Sequence, residues 1–375
     1  MEYLPFTRPS IDETTIEDVV ATLRSGWLAT GPRVARFEAA LSGYLGGRII
    51  KSFTSATAAL EIALEAAGIS DEHEVITPAI SFTATPNVIL RRNATPVFID
   101  VDLKTRNMDM EAAAHAVTPK TRALMPVHFA GLPVEMNTLY DLANKHNLRV
   151  IEDAAHAIGS RYKGKLIGSF GDLVSFSFHP NKNITTIEGG ALSLVNTEEA
   201  EQIDILRFHG ISRRDDGEMD VLLPGGKYNL SDVAAAVGLG QLPHLDAFNI
   251  KRRQLAQHYL DRLEGLENIL LPEKADSGHS WHMFAPLINF KAFKMTRRAF
   301  IAAMHEKGIG IGIHYPALHL FTLYRSLGYA RGDFPNAERI GEETVTLPLF
   351  PGMTVNDVNR VISTLCKILG IKEPN

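Results

Sequence analysis

Seven short apolar segments alternate with amphipathic segments between about residue 45 and residue 200, and this alternation constrains the fold more than any other feature. Strands are predicted at 49–53, 74–77, 95–99, 122–127, 149–152, 173–178 and 191–195. The helices predicted between them include 56–67, 83–91 and 136–146. Strands that alternate with helices favour an α/β fold, in which a mostly parallel sheet carries helices on both faces.

The chain continues with a helix-rich connection and then a second, smaller unit. Helices are predicted at 197–208, 231–241 and 248–266, and the smaller unit begins near residue 270. Its last helix, at 354–369, begins with a capping-box pair, Thr354 and Asp357. We therefore expect a large ligand-binding domain at residues 1–245, N-terminal segment included, and a small α+β C-terminal domain at 246–375.

Composition and charge exclude several classes of protein. The chain has 375 residues and a formal net charge of -5, which gives no electrostatic footprint for nucleic acid. Cys366 is the single cysteine, so one chain can form neither a disulfide framework nor a CxxC metal site. His314 and His319 lack an acidic partner at metal-ligand spacing, which argues against zinc. No apolar run reaches the roughly 18–20 residues that span a bilayer, and no signal-peptide pattern is found, so we expect a cytoplasmic protein.

A carboxylate and a lysine are predicted at the ends of neighbouring strands. Asp153 follows the strand at 149–152, and Lys182 lies in the segment 177–190 between two apolar runs, two residues after Pro180. Ligands of such sheets bind beyond the carboxyl ends of the strands. This pair is what pyridoxal 5'-phosphate (PLP) chemistry requires, the amine to form a Schiff base and the carboxylate to keep the pyridine nitrogen protonated. A solvated surface lysine is the alternative interpretation.

Several further residues suit the same cofactor, and each has a structural alternative. Ser55 and Ala56 stand where a strand passes into a helix, a favourable place for a phosphate, and Ser177 supplies another hydroxyl. Ser55 could instead be an ordinary helix N-cap. Phe82 could stack on a pyridine ring or fill the core. His156 could bond the ring oxygen of the cofactor, support the carboxylate, or act as a structural donor.

Taken together, these segments resemble the DegT/DnrJ/EryC1/StrS family of PLP-dependent sugar aminotransferases, and the resemblance covers nearly the whole chain. The motifs that carry it are GWLATGP at 26–32, SATAAL at 55–60, EDAAHA at 152–157, SFSFHPNKNITTIEGG at 175–190, GKYNLSD at 226–232 and HYPALH at 314–319. Their order and spacing are more specific than any one of them alone. Ile187 departs from the pattern, since relatives often carry glycine there.

The resemblance implies an aspartate-aminotransferase-like (type I) fold and a homodimer with both active sites at the subunit interface. It makes Lys182 the Schiff-base lysine and Asp153 the partner of the pyridine nitrogen. The other implied cofactor contacts are Phe82 on the ring, His156 near the ring hydroxyl, Ser55, Ala56 and Ser177 on the phosphate, and Asn229 on the phosphate of the neighbouring subunit. The residues implied to face the sugar nucleotide are Thr30, His314, Tyr315 and His319.

The implied activity is a ping-pong transamination from L-glutamate, through pyridoxamine 5'-phosphate (PMP), to a keto group of a nucleotide-linked deoxysugar. A branch of the family with histidine at the lysine position acts as dehydratases or deoxygenases, and Lys182 disfavours that branch. A keto-cyclitol or other non-nucleotide substrate and a PLP-binding regulatory protein without turnover stay open. The sugar, its aminated carbon, the nucleotide and the pathway are unassigned. No arginine for the donor carboxylate is assigned either, because Arg325, Arg331 and Arg339 match no motif.

Overall fold

The computed structural model describes residues 2–274 and 278–373, and its centre is a seven-stranded sheet. The strands in chain order are β1 Ile49–Phe53, β2 Glu74–Pro78, β3 Thr95–Ile99, β4 Thr121–Leu124, β5 Arg149–Asp153, β6 Arg161–Tyr162, β7 Lys165–Leu166, β8 Leu173–Ser177, β9 Gly190–Leu194, β10 Ile211–Arg213, β11 Met219–Val221, β12 Ile269–Leu270 and β13 Leu287–Ile288. Strands β1 to β5, β8 and β9 form the main sheet, and the others pair as short two-stranded ribbons.

The main sheet is parallel except at one strand. Its order is β1-β9-β8-β5-β4-β2-β3. Strands β3, β2, β4, β5 and β8 pair in parallel, whereas β9 runs antiparallel to both of its neighbours, β8 and β1. The prediction of an α/β fold with a mostly parallel sheet is confirmed. The carboxyl ends of the parallel strands meet at one edge, where the residues that follow them can converge.

The helices of the described chain begin, in most cases, at a side chain that caps the first turn. They are α1 Glu13–Ser25, α2 Pro32–Tyr44, α3 Ala56–Ala66, α4 Ala84–Arg91, α5 Met110–His115, α6 Met136–His146, α7 Thr197–Leu206, α8 Asp232–Gln241, α9 Leu245–Leu263, α10 Arg297–Glu306, α11 Thr322–Arg325, α12 Pro335–Glu343 and α13 Val355–Leu369. Ser55 caps α3 and Thr296 caps α10 through their hydroxyls. The predicted capping box of Thr354 and Asp357 at α13 is confirmed.

Both faces of the main sheet are covered by helices. Since successive strand residues point to opposite sides, neighbours in one strand pack in different cores. Val150 packs in the core formed with α2 and α6, whereas its neighbour Ile151 packs in the core formed with α3, α4 and α7. Leu173 and Val174 divide between the two cores in the same way. Strands buried on both faces are apolar almost throughout, which is why they could be recognised in the sequence.

The strand predicted at 122–127 is shorter than expected. Strand β4 ends at Leu124, and beyond it the pairing with β5 continues only as an isolated bridge between Val127 and Asp153. Pro126 interrupts the ladder because proline has no N–H to donate. Its carbonyl still accepts from the Asp153 N–H at 2.9 Å, which ties this turn to the end of β5.

A separate hydrophobic core fills the C-terminal part of the chain. It packs α9, α10 and α13 against β12 and β13, and Leu4 from the N-terminal segment joins it. The Leu4 N–H donates to the Gly308 carbonyl at 2.8 Å. Helix α9 belongs to both parts, since Leu245 packs in a core of the main sheet and Leu255 in the C-terminal core. We therefore propose, as the sequence predicts, that the large domain ends at residue 245 and the small domain begins at residue 246.

Two further properties of the described residues bear on the class of protein. Within residues 2–274 and 278–373, no helix combines the length and hydropathy needed to cross a membrane. Over the same residues, no three His, Cys, Asp or Glu side chains are grouped so that they could hold a metal ion. Cys366 is buried in α13.

Candidate active site

A cavity of about 370 Å³ opens at the carboxyl edge of the main sheet. Its wall consists of the segments that follow β2, β5 and β8, the start of α3, and the loop that precedes α11. The predicted site residues that line it are Ser55, Ala56, Phe82, Asp153, His156, Ser177, Lys182, His314 and Tyr315. The fold therefore brings residues from distant parts of the sequence to one place.

Asp153 ends β5 and is held by hydrogen-bond donors on both of its carboxylate oxygens. The Thr85 hydroxyl donates to Oδ2 at 2.7 Å, and the Ala155 N–H donates to Oδ1 at 3.1 Å. The residue is only 5% exposed, yet it lines the cavity. A carboxylate held at both oxygens has a fixed orientation, so its remaining lone pairs can accept from a protonated nitrogen placed in the cavity.

Lys182 lies in the loop between β8 and β9, which is held by a turn within the loop and by a contact with α9. The Lys182 N–H donates to the His179 carbonyl at 2.8 Å. The adjacent Asn183 is buried and donates to Asn249 Oδ1 at 2.7 Å. Burial lowers the pKa of the Lys182 amine to about 8, and the attraction of Asp153 opposes part of this shift. More of the amine is consequently unprotonated near neutral pH than in an ordinary lysine, which makes it a competent nucleophile.

The start of α3 offers an anion site at one end of the cavity. Ser55 is the N-cap, as its structural alternative predicted, with extended backbone angles. The N–H groups of Ala56 and Thr57 belong to the first helical turn, which has no intrahelical acceptor, and both residues line the cavity. Ser177 lines the same cavity. Free N–H groups at the positive end of a helix bind phosphate, so the two interpretations of Ser55 are compatible.

His156 stands in a stack of three rings with His282 and Tyr315. Its ring centroid lies 4.6 Å from that of His282 and 6.1 Å from that of Tyr315. The Ala130 N–H donates to His156 Nδ1 at 3.3 Å, which leaves the proton on Nε2 to donate to the Tyr315 hydroxyl oxygen at 3.2 Å. Burial, with Lys182 nearby, holds the pKa of His156 well below its usual value. The imidazole is therefore neutral, and the protein already engages both ring nitrogens, as the structural-donor alternative predicts.

Two other rings complete the wall. Phe82 is 57% exposed, and its ring lies 6.0 Å from that of Tyr315. This exposure argues against a role as core filler and leaves an aromatic face available to a planar ligand. His314 Nδ1 lies 2.7 Å from the Thr346 hydroxyl. Burial and the charge of Lys182 lower the pKa of His314 to about 4, so this ring is also neutral near pH 7.

Three predicted residues do not reach the cavity in this chain. Thr30 and Asn229 form a pair elsewhere: the Asn229 amide donates to the Thr30 hydroxyl, which donates to the Leu230 carbonyl at 2.6 Å. His319 is fully buried, with Nε2 3.1 Å from Glu338 Oε1. Because its ring is enclosed beside this carboxylate, the contact with substrate expected for His319 is not supported, and we do not retain it.

Sequence reasoning missed several residues of the site. The additional polar residues of the cavity wall are Thr57, Ser81, His179, Asn181 and Glu188. The last three flank Lys182 in its own loop, so their closeness in the sequence was a usable signal. Thr85 carries no such signal, because its contact with Asp153 spans 68 positions and depends on how α4 packs against the main sheet.

No arginine is found among the described residues that line the cavity. Two of the arginines considered for the donor carboxylate are paired elsewhere. Arg331 Nη1 lies 2.8 Å from Glu342 Oε1, and Arg339 Nε lies 3.0 Å from Glu343 Oε2. A carboxylate bound in this cavity would therefore meet Lys182 and the neutral rings of His156 and His314 rather than a guanidinium of the same chain.

The residues present fit PLP. The cavity provides an amine of lowered pKa, a carboxylate for a ring nitrogen, an exposed aromatic face and a helix N-terminus for a phosphate. Its volume of about 370 Å³ suits a small organic ligand. On a sheet of this topology, such a site defines a PLP-dependent enzyme of type I fold, of the aminotransferase class.

The chain belongs to the DegT/DnrJ/EryC1/StrS aminotransferase family, whose model matches residues 9–366. It is 38% identical to SpsC, the spore coat polysaccharide biosynthesis protein of Bacillus subtilis, over 98% of this chain and 97% of that protein. Spr1654 of Streptococcus pneumoniae, in its PMP form, is 32% identical with a TM-score of 0.92 over 98% of each chain. Helicobacter pylori PseC is 29% identical with a TM-score of 0.93, over 98% of this chain and 100% of PseC. The predicted family, fold type and cofactor are confirmed.

Proposed function

We propose that the protein transfers the amino group of L-glutamate to a keto group of a nucleotide-linked sugar by a ping-pong reaction. The observation that carries the proposal is that Lys182, Asp153 and the start of α3 line one cavity. An amine nucleophile, an acceptor for a protonated ring nitrogen and an anchor for a phosphate are the contacts that a PLP enzyme needs.

Different parts of the cavity wall would bind different parts of the cofactor. The N–H groups at the start of α3 and the Ser177 hydroxyl would bind the phosphate, and Asp153 would accept from the pyridine nitrogen. Phe82 would cover one face of the ring and exclude water there. When bound, PLP supplies an aldehyde that condenses with amines and a ring that accepts electrons, which makes loss of a Cα proton accessible.

Lys182 would move the proton between substrate carbon and cofactor carbon. With a pKa of about 8, both forms of its amine are populated in mildly alkaline solution, so the same group can take up a proton and return it. His156, His282 and His314 lie within range of its charge, and burial lowers the pKa of each. These rings stay neutral and do not compete with Lys182 as acids.

The proposal of a sugar substrate rests on the relatives and on the lining of the cavity. PseC is an aminotransferase involved in pseudoaminic acid biosynthesis, and Spr1654 is provisionally named a sugar aminotransferase. The name of SpsC links it to spore coat polysaccharide biosynthesis. Hydroxyl and imidazole groups of the wall, such as Ser81, His179 and Tyr315, suit a polyhydroxylated compound, because each can pair with a substrate hydroxyl.

We also infer that the active form is a cytoplasmic homodimer. The β10–β11 ribbon exposes Met219 (64%) and Val221 (60%), and Leu222 beside it is 56% exposed. Apolar side chains grouped this way mark an interaction surface, and a second copy of the chain would cover them. Asn229 would then lie near the neighbouring cavity, as the family pattern implies, and Thr30, which accepts from the Asn229 amide, would lie beside it. Light scattering should give twice the mass of one chain, whereas a fully active monomer would refute the dimer.

The role of Lys182 can be tested by trapping. Borohydride reduction of the PLP-loaded protein, followed by peptide mass spectrometry, should place the cofactor on Lys182. A Lys182→Ala variant should lose this label and at least about 10³-fold in turnover. Lys120→Ala, at an exposed position, is the matched control and should keep both. A label on another lysine, or normal turnover by Lys182→Ala, would refute the assignment.

The donor and acceptor can be tested separately. Addition of L-glutamate alone should convert the absorbance of the PLP form to that of the PMP form. The PMP form should then return to the PLP form with nucleotide-linked keto-sugars and not with keto-inositols. Preference for keto-inositols would favour the keto-cyclitol alternative. A yellow protein that glutamate never converts would favour a regulatory PLP-binding protein instead.

A further inference from the structure

Three buried or nearly buried side chains form a continuous line of hydrogen bonds that ends at the carboxylate of the site. Thr85 Oγ lies 2.7 Å from Asp153 Oδ2, and Ser81 Oγ lies 2.7 Å from Thr85 Oγ. Thr85 is fully buried, and Ser81 is 2% exposed. Neither was among the predicted site residues, and only Ser81 lines the cavity.

Counting protons fixes the direction of this line. A carboxylate only accepts, so the single Thr85 hydroxyl proton must be donated to Asp153. The contact between Ser81 and Thr85 must then be donated by Ser81, because the Thr85 proton is already committed. Both hydroxyl protons therefore point toward the carboxylate, and each bond polarises and strengthens the next.

The backbone explains why these residues stand where they do. The Thr85 N–H donates to the Phe82 carbonyl at 3.2 Å, in the turn that opens α4. One short segment thus presents the exposed Phe82 ring to the cavity and the Thr85 hydroxyl to Asp153. Oδ1 is held on its other side by the Ala155 N–H at 3.1 Å. The carboxylate is consequently fixed from two elements, α4 and the segment after β5.

We propose that Thr85 and Ser81 are positioning residues, which act on the cofactor through Asp153. Their donated hydrogen bonds hold the carboxylate in the orientation in which it accepts the pyridine N–H. The inference rests on the proposed function, because it assumes that Asp153 meets the ring nitrogen. Without the Thr85 donor, Asp153 would hold the protonated ring less tightly, and Ser81 would lose its acceptor.

Binding of PMP by the cofactor-free protein tests this directly, since PMP has the ring and phosphate but no aldehyde to react with Lys182. Thr85→Val keeps the shape and removes the hydroxyl. Because a hydrogen bond to a charged group contributes strongly to stability, the dissociation constant of the Thr85→Val variant for PMP should rise by about tenfold or more. Ser81→Ala, which removes the outer bond, should raise it by about threefold. Thr85→Ser, which restores the hydroxyl, should bind nearly as the unchanged protein does.

Two controls separate a positioning role from a structural one. Thr77 is another fully buried threonine, whose hydroxyl donates to the Met125 carbonyl at 3.0 Å, away from Asp153. Thr77→Val makes the same chemical change and should leave PMP affinity unaltered. NMR of PMP labelled with ¹⁵N at the pyridine nitrogen gives a second readout. At a fixed alkaline pH, Thr85→Val should shift this resonance toward the unprotonated ring, and Thr77→Val should not.

The outcomes distinguish this inference from the proposed function. If Asp153→Asn weakens PMP binding and shifts the ¹⁵N resonance while Thr85→Val and Ser81→Ala do neither, the inference is overturned and the role of Asp153 stands. If Asp153→Asn also leaves both readouts unchanged, the proposed contact with the ring nitrogen fails. Should Thr85→Val not fold, Ser81→Ala decides, because it leaves the buried Thr85 in place.

Discussion

At the scale of single residues, the ionisation of Lys182 reflects two opposing effects. Burial removes water from the ammonium form and lowers the pKa to about 8, while the Asp153 carboxylate favours the ammonium form. Removing the carboxylate leaves burial unopposed. The two residues are therefore coupled even without the cofactor, and the coupling can be measured in the cofactor-free protein.

We expect the rate at which a small acylating reagent modifies Lys182 to rise with pH through a midpoint near 8, because only the free amine reacts. In Asp153→Asn the midpoint should move to lower pH. Quantitative peptide mass spectrometry measures the rate, with exposed Lys120 in the same digest as the internal reference. A midpoint that Asp153→Asn leaves in place would show that the two side chains do not interact through space.

At the scale of elements, the anion site depends on how closely β9 approaches the start of α3. Gly190 is the first residue of β9, and a Cβ added there would lie 2.4 Å from both the Ala56 nitrogen and the Ser55 carbonyl carbon. Real Cβ atoms do not come so close to backbone, so the helix start would have to move. The N–H groups at this helix start are the ones proposed to bind the phosphate, so moving the helix start would also disturb the anion site.

Gly190→Ala should therefore weaken both the fold and the site. We expect the free energy of unfolding to fall by about 1–3 kcal/mol, as in other overpacked cores, and the dissociation constant for PMP to rise by about tenfold. Denaturant titration and PMP titration measure the two effects. Gly43→Ala is the matched control, because a Cβ at that position of α2 meets nothing within 4 Å. Equal PMP affinity in Gly190→Ala and the unchanged protein would refute the dependence on Gly190.

The elements of the main sheet were predictable because their burial on both faces leaves apolar runs in the sequence. Asp153 and Lys182 could be predicted as a pair, since parallel strands bring their carboxyl ends to one edge. Thr85 and His282 could not, because their contacts depend on how α4 and the segment after residue 278 pack against the sheet. His319 was expected at the site because it lies five residues after His314 in the sequence. The chain between them instead places it inside the protein, beside Glu338.

At the scale of the whole molecule, a buried polar network joins the lysine loop to the C-terminal part of the chain. Asn183 Oδ1 lies 3.1 Å from His282 Nδ1. Arg252 of α9 donates to the carbonyls of His282 at 3.0 Å and Leu349 at 2.7 Å. The cavity and the C-terminal core are thus held together by imidazoles and a guanidinium rather than by apolar contacts alone. Such a junction is sensitive to protonation.

Two enclosed histidines give this sensitivity a definite sign: His279 is buried and His314 is half-buried. Burial, with Arg253 near, lowers the pKa of His279 to about 3, and burial, with Lys182 near, lowers that of His314 to about 4. In the unfolded chain a histidine titrates near 6.5. Between pH 6.5 and 5 the unfolded chain therefore binds protons at these histidines that the folded protein does not bind. Stability is fully present above pH 6.5 and is lost as the pH falls, by about 1.4 kcal/mol per pH unit for each such histidine.

Denaturant unfolding of the cofactor-free protein at pH 6.5, 6.0, 5.5 and 5.0 should show this decline, in a range where most carboxylates are still ionised. His279→Asn should reduce the dependence of the free energy of unfolding on pH by about the contribution of one histidine, because Asn cannot take up the proton. The Asn amide oxygen can still accept the Trp281 N–H, which His279 Nδ1 accepts at 2.9 Å. Exposed His146→Asn is the matched control and should leave the slope as it is, since burial is the cause invoked. A slope that responds equally to both substitutions, or a free energy of unfolding that does not change between pH 6.5 and 5, would mean that these imidazoles are hydrated in the folded protein. The junction between the cavity and the C-terminal core would then be open to water rather than packed.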